Sequence, residues 1–185
     1  NCDERYLGTE YPVLTKTREI DNPKSKGIIA PLNYARHFGP IQEVLNVDRE
    51  WCDKQNNIIW RGASTGIRHK GGRKTDRYDV VSKYFNKYDF AFTLSVGKWA
   101  REHKKDIFRY FKPPVEPVNQ LAYKYILVID GNDKSSALNW ILASNSIPIM
   151  PKPRFHSWLC EAFLEPNVHY VEVKDDYSNL EEKVQ

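Results

Sequence analysis

The feature of this sequence that most constrains its fold is the run YILVI at residues 125–129, which is apolar throughout. A strand that is covered on both faces has this pattern, whereas a strand with one face in water alternates apolar and polar residues. A polar turn at residues 130–133 and a helical pattern at residues 134–144 follow the run. The stretch therefore predicts a buried strand, a turn and a helix, which is the repeating unit of an α/β protein.

The same alternation of strand and helix patterns extends over most of the chain. Further strands are predicted at residues 27–30, 57–60, 89–94, 147–150 and 169–173. Helices are predicted at residues 34–50, 76–86, 98–110 (helical or mixed), 156–164 and from residue 178 onward. This order predicts the α/β class with a Rossmann-like, doubly wound parallel sheet. Such sheets bind ligands at the carboxyl ends of their strands, so the turns after strands 57–60 and 125–129 should share one rim.

Individual residues give more local predictions. Ile41, Val44 and Leu45 are expected on the apolar face of the helix at residues 34–50. Asn145 is expected to end the helix at residues 134–144 in a left-handed conformation. His169 falls in a predicted strand, and a packed core histidine is the favoured interpretation.

The composition narrows the class of ligand. Apolar residues make up 41% and charged residues 28% of the chain, so an ordinary core is expected and disorder is not. The net charge of +4 and the pI of about 8.8 suit an anionic ligand such as a nucleotide diphosphate. They fall short of the basic character of a dedicated DNA-binding protein. The three cysteines form no C-x-x-C motif and are interpreted as reduced or incidental.

The length and the ends of the chain favour a fragment. The 185 residues suit one large domain, or one domain and part of another. The chain begins at Asn1, contains no signal peptide, and has no apolar run near the roughly 18 residues that span a bilayer. Ser178 and Glu181 match a capping box that starts a helix, yet only four residues follow Glu181. A fragment of a longer protein is therefore expected.

The first candidate for chemistry is the segment WRGASTGIR at residues 60–68, between a predicted strand and a predicted helix. Its glycines let the backbone approach a ligand, its hydroxyls can donate hydrogen bonds, and its arginines can bind phosphate oxygens. It matches neither a Walker loop nor G-x-G-x-x-G. The alternative is a glycine-rich turn with solvated arginines. The candidate ligand-binding residues are Arg61, Gly62, Ser64, Thr65, Gly66 and Arg68.

The second candidate is the segment DGNDKSS at residues 130–136, which again connects a strand to a helix. The start of a helix exposes unpaired N–H groups and a positive dipole end, which suit a diphosphate. The alternative is ordinary capping of a core helix by Asp133, Ser135 or Ser136. The candidate ligand-binding residues are Gly131, Asn132, Asp133, Lys134, Ser135 and Ser136.

No metal site is predicted, since the five histidines lack ligand-like spacing and no D-x-D occurs. Protein cations and a helix terminus would then balance a bound diphosphate, and Arg61, Arg68 and Lys134 are the predicted cations. Glu161 can accept hydrogen bonds from ribose hydroxyls, or it can be merely exposed. The basic run formed by Arg68, Lys70, Arg73, Lys74 and Arg77 is interpreted as a solvated loop and helix face, with nucleic-acid or lipid binding as the alternative.

Several separated motifs together resemble one family. In order they are P-V-L-T-K-T-R, W-R-G-A-S-T-G with a later arginine, K-Y, D-G-N-D, L-A-S-N-S, E-P-x-V-H-Y and D-x-S-x-L-E-E-K. They agree in order and spacing with glycosyltransferase family 90, over roughly residues 11–185. The subtype resembles bacterial or algal-virus members, and the family also holds protein O-glucosyl- and O-xylosyltransferases.

The resemblance implies a GT-B architecture, in which a UDP-sugar binds between two Rossmann-like domains without a metal and the anomeric carbon is inverted. Residues 1–53 would be part of the N-terminal acceptor-side domain, and residues 54–185 would be the C-terminal UDP-sugar-binding domain. The arginine of the first donor loop would contact the diphosphate. Protein O-glucosyltransferases carry a second arginine where this chain has Ala137, and Lys134 is hypothesised to replace it in part.

The resemblance also implies a carboxylate as catalytic base, upstream of the P-V-L segment. Asp3 is the expected base, with Asp21 or a residue preceding the chain as alternatives. The implied partners are a UDP-sugar, carrying xylose or glucose, and a glycan or glycoprotein acceptor. The UDP-sugar is a co-substrate, and no cofactor, metal, nucleic acid or membrane span is expected. The expected location is the cytoplasm, or the host-cell cytoplasm for a viral protein.

Two other functions stay open from the sequence. A non-catalytic nucleotide-sugar or carbohydrate-binding module would bind UDP without turnover. A nucleic-acid-binding protein that uses the basic run at residues 68–77 would show steep salt dependence and no response to UDP.

Overall fold

The computed structural model describes residues 13–22, 27–66, 75–93 and 98–185, without the side chains of residues 98 and 99. Asp3 and Arg68, two of the predicted site residues, lie outside these ranges. The strands are β1 (Leu14–Thr15), β2 (Arg18–Glu19), β3 (Ile28–Ile29), β4 (Gln55–Gly62), β5 (Asp89–Phe92), β6 (Tyr123–Leu127), β7 (Ile147–Met150), β8 (Phe155–His156) and β9 (Val171–Glu172). The α-helices are α1 (Tyr34–His37), α2 (Gly39–Val47), α3 (Arg77–Tyr84), α4 (Lys98–His103), α5 (Pro117–Gln120), α6 (Leu138–Leu142) and α7 (Leu180–Val184). Short 3₁₀ helices span Trp51–Asp53, Ile107–Tyr110 and Glu161–Phe163.

A parallel sheet organises the described part of the chain, with five strands in the order β5-β4-β6-β7-β9. Ile59 of β4 pairs with Ile126 of β6, and Ile126 in turn pairs with Pro148 of β7. The predicted α/β class and parallel sheet are confirmed. Because β4 and β6 are neighbours and run in the same direction, the turns that follow them lie on one rim, as the sequence predicted.

Both faces of the sheet are covered, which explains the continuous apolar run. On one face, Ile58, Leu127 and Ile149 pack with residues of α3 and α7. On the other face, Ile59 and Ile126 pack with residues of α2 and α6. Full burial of each such side chain contributes about 1.5–3 kcal/mol, so the two cores fix the sheet that carries the rim.

Helix α2 joins the second core through Val44, which is completely buried and packs with Ile59 and Leu138. Leu45 is 58% exposed, so its predicted place on the buried face is wrong. The predicted helix at residues 34–50 is instead divided, because Phe38 separates the nine-residue α2 from α1. The predicted domain boundary between residues 53 and 54 stays a prediction.

The predicted start of the helix at residues 134–144 is wrong. Helix α6 begins at Leu138 and not at residue 134. The preceding residues are held in a turn, in which the Gly131 N–H donates to the Asp133 carbonyl. Ala137 is the N-cap and provides no side-chain cap, so capping by Asp133, Ser135 or Ser136 is not what the structure shows. Asn145 is not left-handed.

The predicted α-helix at residues 156–164 does not form. There β8 pairs with β2, and the 3₁₀ turn Glu161–Phe163 follows Cys160, whose φ of 62° is left-handed. His169 is exposed in a turn, where its Nδ1 accepts a hydrogen bond from the Glu165 N–H, so the interpretation as a core histidine is wrong.

The last helix also starts later than predicted. Asn179 is the N-cap of α7 and makes no side-chain cap, so the predicted capping box of Ser178 and Glu181 does not form. The Glu181 carboxylate instead pairs with the Lys87 ammonium. Within the described ranges, no helix combines the length and the apolar character that crossing a bilayer requires.

Candidate functional site

The loops after β4 and β6 touch each other at two glycines. A Cβ atom added to Gly66 would lie 2.5 Å from the carbonyl carbon and oxygen of Gly131. Gly66 also has a φ of +79°, which side chains with a Cβ rarely adopt. The two loops that the sequence singled out, the first loop (residues 63–66) and the second loop (residues 130–136), therefore pack backbone against backbone.

We expect Gly66→Ala to separate the two loops, because its Cβ cannot fit and its φ becomes strained. The free energy of unfolding should fall by about 2–3 kcal/mol, and ligands that span both loops should bind more weakly. Urea denaturation of the variant and of Gly39→Ala measures this, since a Cβ at Gly39 meets only the Tyr34 carbonyl at 3.9 Å. Equal effects of the two substitutions would contradict the close packing of the loops.

Arg77 connects the two loops by hydrogen bonds. Its Nη1 donates to the Ala63 carbonyl at 3.0 Å and to the Thr65 hydroxyl at 2.9 Å. Its Nη2 and Nε donate to the Ile129 carbonyl, and Nε also reaches the Asp130 carbonyl at 3.1 Å. The guanidinium therefore bridges the carboxyl ends of β4 and β6.

The sequence placed Arg77 in a solvated basic run, and the structure corrects this. Arg77 is the first residue of α3, where Asp76 and Asp79 form a capping box. The side chain is 9% exposed and lies over the Trp60 ring at 5.6 Å. The sequence T-D-R-Y-D at residues 75–79 is typical of a capping box at a helix start. It does not show that the Arg77 side chain is buried.

The Arg77 charge is not neutralised by an ion pair with any described carboxylate. Burial lowers its pKa to about 10, against the attraction of Asp130, so the group stays protonated at neutral pH. One N–H of Nη2 has no acceptor among the described residues. A Cβ added to Gly131 would lie 3.1 Å from that nitrogen, so the absence of a side chain there leaves room beside it.

A cleft of about 460 Å³ opens between the two loops. Its lining includes nine of the predicted site residues, namely Arg61, Gly62, Thr65, Gly131, Asn132, Asp133, Lys134, Ser135 and Ser136. Lys16, Arg36 and Trp140 line it as well, and the sequence analysis did not single them out. Ser64 is only 5% exposed and is not among the described residues that line the cleft.

Arg61 lines the cleft and already pairs with a carboxylate, so its contact with a diphosphate stays a prediction. Its Nη2 pairs with the Asp89 carboxylate at 2.6 Å, and its Nη1 donates to the Asp89 carbonyl. Lys112 and Tyr123 also donate to Asp89. Burial opposes the ionisation of Asp89, but these donors outweigh it and hold its pKa below the ordinary value. Arg61 thus ties β4 to β5.

Lys134 is likewise not a free cation for a ligand. Its Nζ lies 2.5 Å from the Glu161 carboxylate and also donates to Asn139 and Ser157. Lys134 is 5% and Glu161 is 1% exposed. Glu161 is therefore paired inside the protein, and its hydrogen bonds to ribose hydroxyls stay a prediction.

The positive charge that remains for a ligand comes from other residues. Lys16 reaches the cleft but pairs with Asp133 at 2.9 Å. Arg36 lines the cleft, is exposed, and makes no ion pair with any residue in the described ranges. Arg36 and Arg77 are thus the two lining cations of the described chain whose charge no carboxylate balances.

His37 is a buried neutral group behind this charged region. It is 3% exposed, and its Nδ1 has no hydrogen-bond partner among the described residues. Burial and the charges of Lys16, Lys134 and Arg36 lower its pKa to about 4. The imidazole is therefore uncharged at neutral pH.

Acid should destabilise the protein through His37. The pKa of His37 is lower in the folded state than in the unfolded chain, so protons bind more readily to the unfolded chain. The free energy of unfolding therefore falls as the pH decreases from about 6.5 toward 4. The expected loss is about 3 kcal/mol, at 1.36 kcal/mol for each pKa unit. Urea denaturation across this window should show that the free energy of unfolding of His37→Gln changes less with pH than that of the unmodified protein. The same dependence on pH in both proteins would contradict a buried neutral His37.

Three predicted residues remain, and the structure describes one of them. Asp21 is exposed in the turn after β2 and is not among the described residues that line the cleft. Asp3 and Arg68 lie outside the described residues. In the part of the chain that the structure describes, no group of three or more His, Cys, Asp and Glu side chains is placed to hold a metal ion.

Comparison with known proteins identifies the family. Residues 37–185 match the model of glycosyl transferase family 90. The chain is 32% identical over 176 residues to O-glucosyltransferase LpsA of Dichelobacter nodosus, which covers 95% of this chain and 49% of that protein. The chain thus spans about half the length of LpsA.

Two viral proteins are more distant relatives. Uncharacterized protein 179R of Invertebrate iridescent virus 6 is 25% identical over 168 residues, 76% of this chain and 14% of that protein. Uncharacterized protein 027R of Frog virus 3 (isolate Goorha) is 24% identical over 164 residues, 73% of this chain and 16% of that protein. On the family match and the identity to LpsA, the chain belongs to glycosyl transferase family 90.

Proposed function

We propose that the protein transfers xylose or glucose from a UDP-sugar to a hydroxyl of a glycan acceptor, without a metal and with inversion at the anomeric carbon. The observation that carries the proposal is the buried Arg77 guanidinium between two backbone loops at the carboxyl rim of the sheet. A parallel sheet binds nucleotides at this rim. Membership of a glycosyltransferase family supplies the reaction class.

In this proposal the diphosphate of the donor lies in the cleft between the two loops. The free Nη2 hydrogen of Arg77 and the backbone N–H groups of the second loop face its oxygens, and Arg36 supplies a second positive charge. When the glycosidic bond to UDP breaks, negative charge develops on the leaving phosphate. Donors that are already in place stabilise that charge without reorganising.

An inverting transfer also needs a base that removes the proton of the acceptor hydroxyl. Asp3 is the proposed base, with Asp21 as the alternative. The proton moves to this carboxylate as the acceptor oxygen bonds to the anomeric carbon, and UDP leaves from the opposite face.

The wider setting is proposed on the resemblance alone. It comprises a GT-B architecture with the acceptor-side domain at residues 1–53, a cytoplasmic location and no nucleic-acid partner. Metal independence rests on the resemblance too, with Arg36 and Arg77 as the balancing cations.

The test uses NMR to measure transfer of the sugar from UDP-glucose or from UDP-xylose to methyl glycosides. Each reaction is run with and without EDTA. We expect transfer in both conditions, with the opposite anomeric configuration in the product. Loss of activity in EDTA would contradict metal independence, and retention of configuration would contradict inversion. Asp3→Asn should keep UDP binding and lose transfer, while the same activity in that variant would remove Asp3 from the mechanism.

A second candidate is a nucleotide-sugar-binding module without catalysis. The observation that favours it is that Asp133 is the one carboxylate among the described residues that line the cleft, and it is paired with Lys16. Such a module would bind UDP and the UDP-sugars but would release no product in the same NMR experiment.

A further inference from the structure

Trp158 is an exposed aromatic side chain whose orientation is fixed. It is 56% exposed, although a tryptophan ring in water forgoes a large burial energy. Its indole N–H donates to the Ile29 carbonyl at 3.0 Å, across 129 residues of sequence. The protein therefore holds this ring in one place while leaving more than half of it open.

Trp158 is connected to the cleft on two sides. Its neighbour Ser157 is 1% exposed, and the Ser157 hydroxyl contacts the Lys134 ammonium at 3.1 Å and the Glu161 carboxylate at 2.8 Å. Lys134 belongs to the second loop. The chain position next to Trp158 is thus fixed to the buried pair of Lys134 and Glu161.

The second connection runs through the two-stranded ribbon of β1 and β3. Ile29 of β3, which accepts the indole N–H, pairs with Thr15 of β1. The next residue, Lys16, lines the cleft and pairs with Asp133 of the second loop. The ribbon therefore ties the tryptophan ring and one wall of the cleft together.

We propose that Trp158 is a stacking platform for a sugar ring of the acceptor glycan. This inference rests on the proposed function, because it names the group that binds beside the donor cleft. A pyranose ring has an apolar face of C–H groups, and a flat aromatic ring that is half open and half packed offers the matching surface. A ring that is already fixed loses little conformational freedom when the sugar binds.

A bound nucleotide does not account for Trp158. The ring is not among the described residues that line the cleft between the two loops. The residues that can meet a diphosphate are instead the loop backbones, Arg36 and Arg77. Glycoside and UDP should therefore bind independently, and this separates the two claims experimentally.

The test uses NMR of the indole N–H signals while methyl β-glucopyranoside, methyl β-galactopyranoside or methyl α-mannopyranoside is added. We expect at least one glycoside to shift the Trp158 signal and to leave the Trp51 signal in place. Trp51 is the matched control, because it is 38% exposed and precedes the amino end of β4, away from the rim. Trp158→Phe, which keeps a ring, identifies the Trp158 signal.

Trp158→Ala should weaken glycoside binding about tenfold, as loss of a central tryptophan contact does. Its affinity for UDP should stay within about twofold of the unmodified protein, and Trp51→Ala should change neither affinity. Trp158→Phe should retain part of the glycoside affinity, because it keeps a ring but loses the hydrogen bond that fixes it.

The inference is overturned if none of the three glycosides shifts the Trp158 signal, or if Trp158→Ala binds the glycoside as tightly as the unmodified protein. An equal loss of glycoside and UDP affinity in Trp158→Ala would also overturn it, since the role would then be structural. Glycoside binding at Trp158 in a protein that does not bind UDP would instead refute the proposed function and leave the sugar platform in place.

Discussion

Replacing Arg77 with lysine is expected to lower the free energy of unfolding by about 3 kcal/mol and to weaken UDP binding at least tenfold. Arg77 donates to three carbonyl groups and one hydroxyl from a single planar group. A lysine keeps the charge but has one nitrogen, which cannot reach both loops. Each hydrogen bond to a charged group contributes about 1.5–3 kcal/mol, and each lost tenfold in affinity corresponds to 1.4 kcal/mol.

Urea denaturation and calorimetric titration with UDP measure these two effects. Arg101→Lys is the matched control, because Arg101 is exposed on α4 and the same substitution there should change neither quantity by a measurable amount. Unchanged UDP affinity in a folded Arg77→Lys protein would show that the two loops do not form the donor site. Unchanged stability would show that the guanidinium is not what joins them.

Breaking the Lys134–Glu161 pair is expected to cost about 3–5 kcal/mol, because each single substitution leaves the other charge buried without its partner. Burial opposes the ionisation of Glu161, but the Lys134 charge outweighs it and holds the pKa of Glu161 below its ordinary value. Lys134→Met leaves this carboxylate alone, and Glu161→Leu leaves the ammonium alone. The double variant removes both charges and should be more stable than either single variant.

Urea denaturation of the three variants gives a double-mutant cycle. A sum of single effects that equals the double effect would mean that the two groups do not interact. The double variant also tests the hypothesis that Lys134 replaces an arginine toward the diphosphate. The structure predicts that UDP affinity survives in the double variant, whereas a donor-binding Lys134 predicts that it is lost.

The hydrophobic pattern predicted the sheet, because a strand that is buried on both faces appears in the sequence as a continuous apolar run. The runs at residues 57–60, 125–129 and 147–150 fall within or overlap β4, β6 and β7, and their order predicted that the two loops share a rim. Helix boundaries were less predictable, because the start of α6 depends on a turn in which the Gly131 N–H bonds to the Asp133 carbonyl. Nothing in the pattern of hydrophobic residues at 134–144 reports that turn.

The roles of the charged residues were the least predictable part of the site. Arg61 and Lys134 looked like ligand-binding cations, but Asp89 and Glu161 neutralise them across 28 and 27 residues of sequence. Arg77 looked solvated and is buried. A lone sequence shows which charges exist, and only the fold shows which of them are paired. The loop backbones were predicted better, since glycine at a close approach is a local requirement.

The central claim is that the cleft above Arg77 binds the diphosphate of a nucleotide. Calorimetric titration of the unmodified protein with UDP and with uridine, in the presence of EDTA, tests it most directly. We predict that UDP binds at least tenfold more tightly than uridine, since the charged hydrogen bonds go to phosphate oxygens. Equal affinity for the two compounds, or no binding of UDP, would contradict the assignment of this cleft as the donor site.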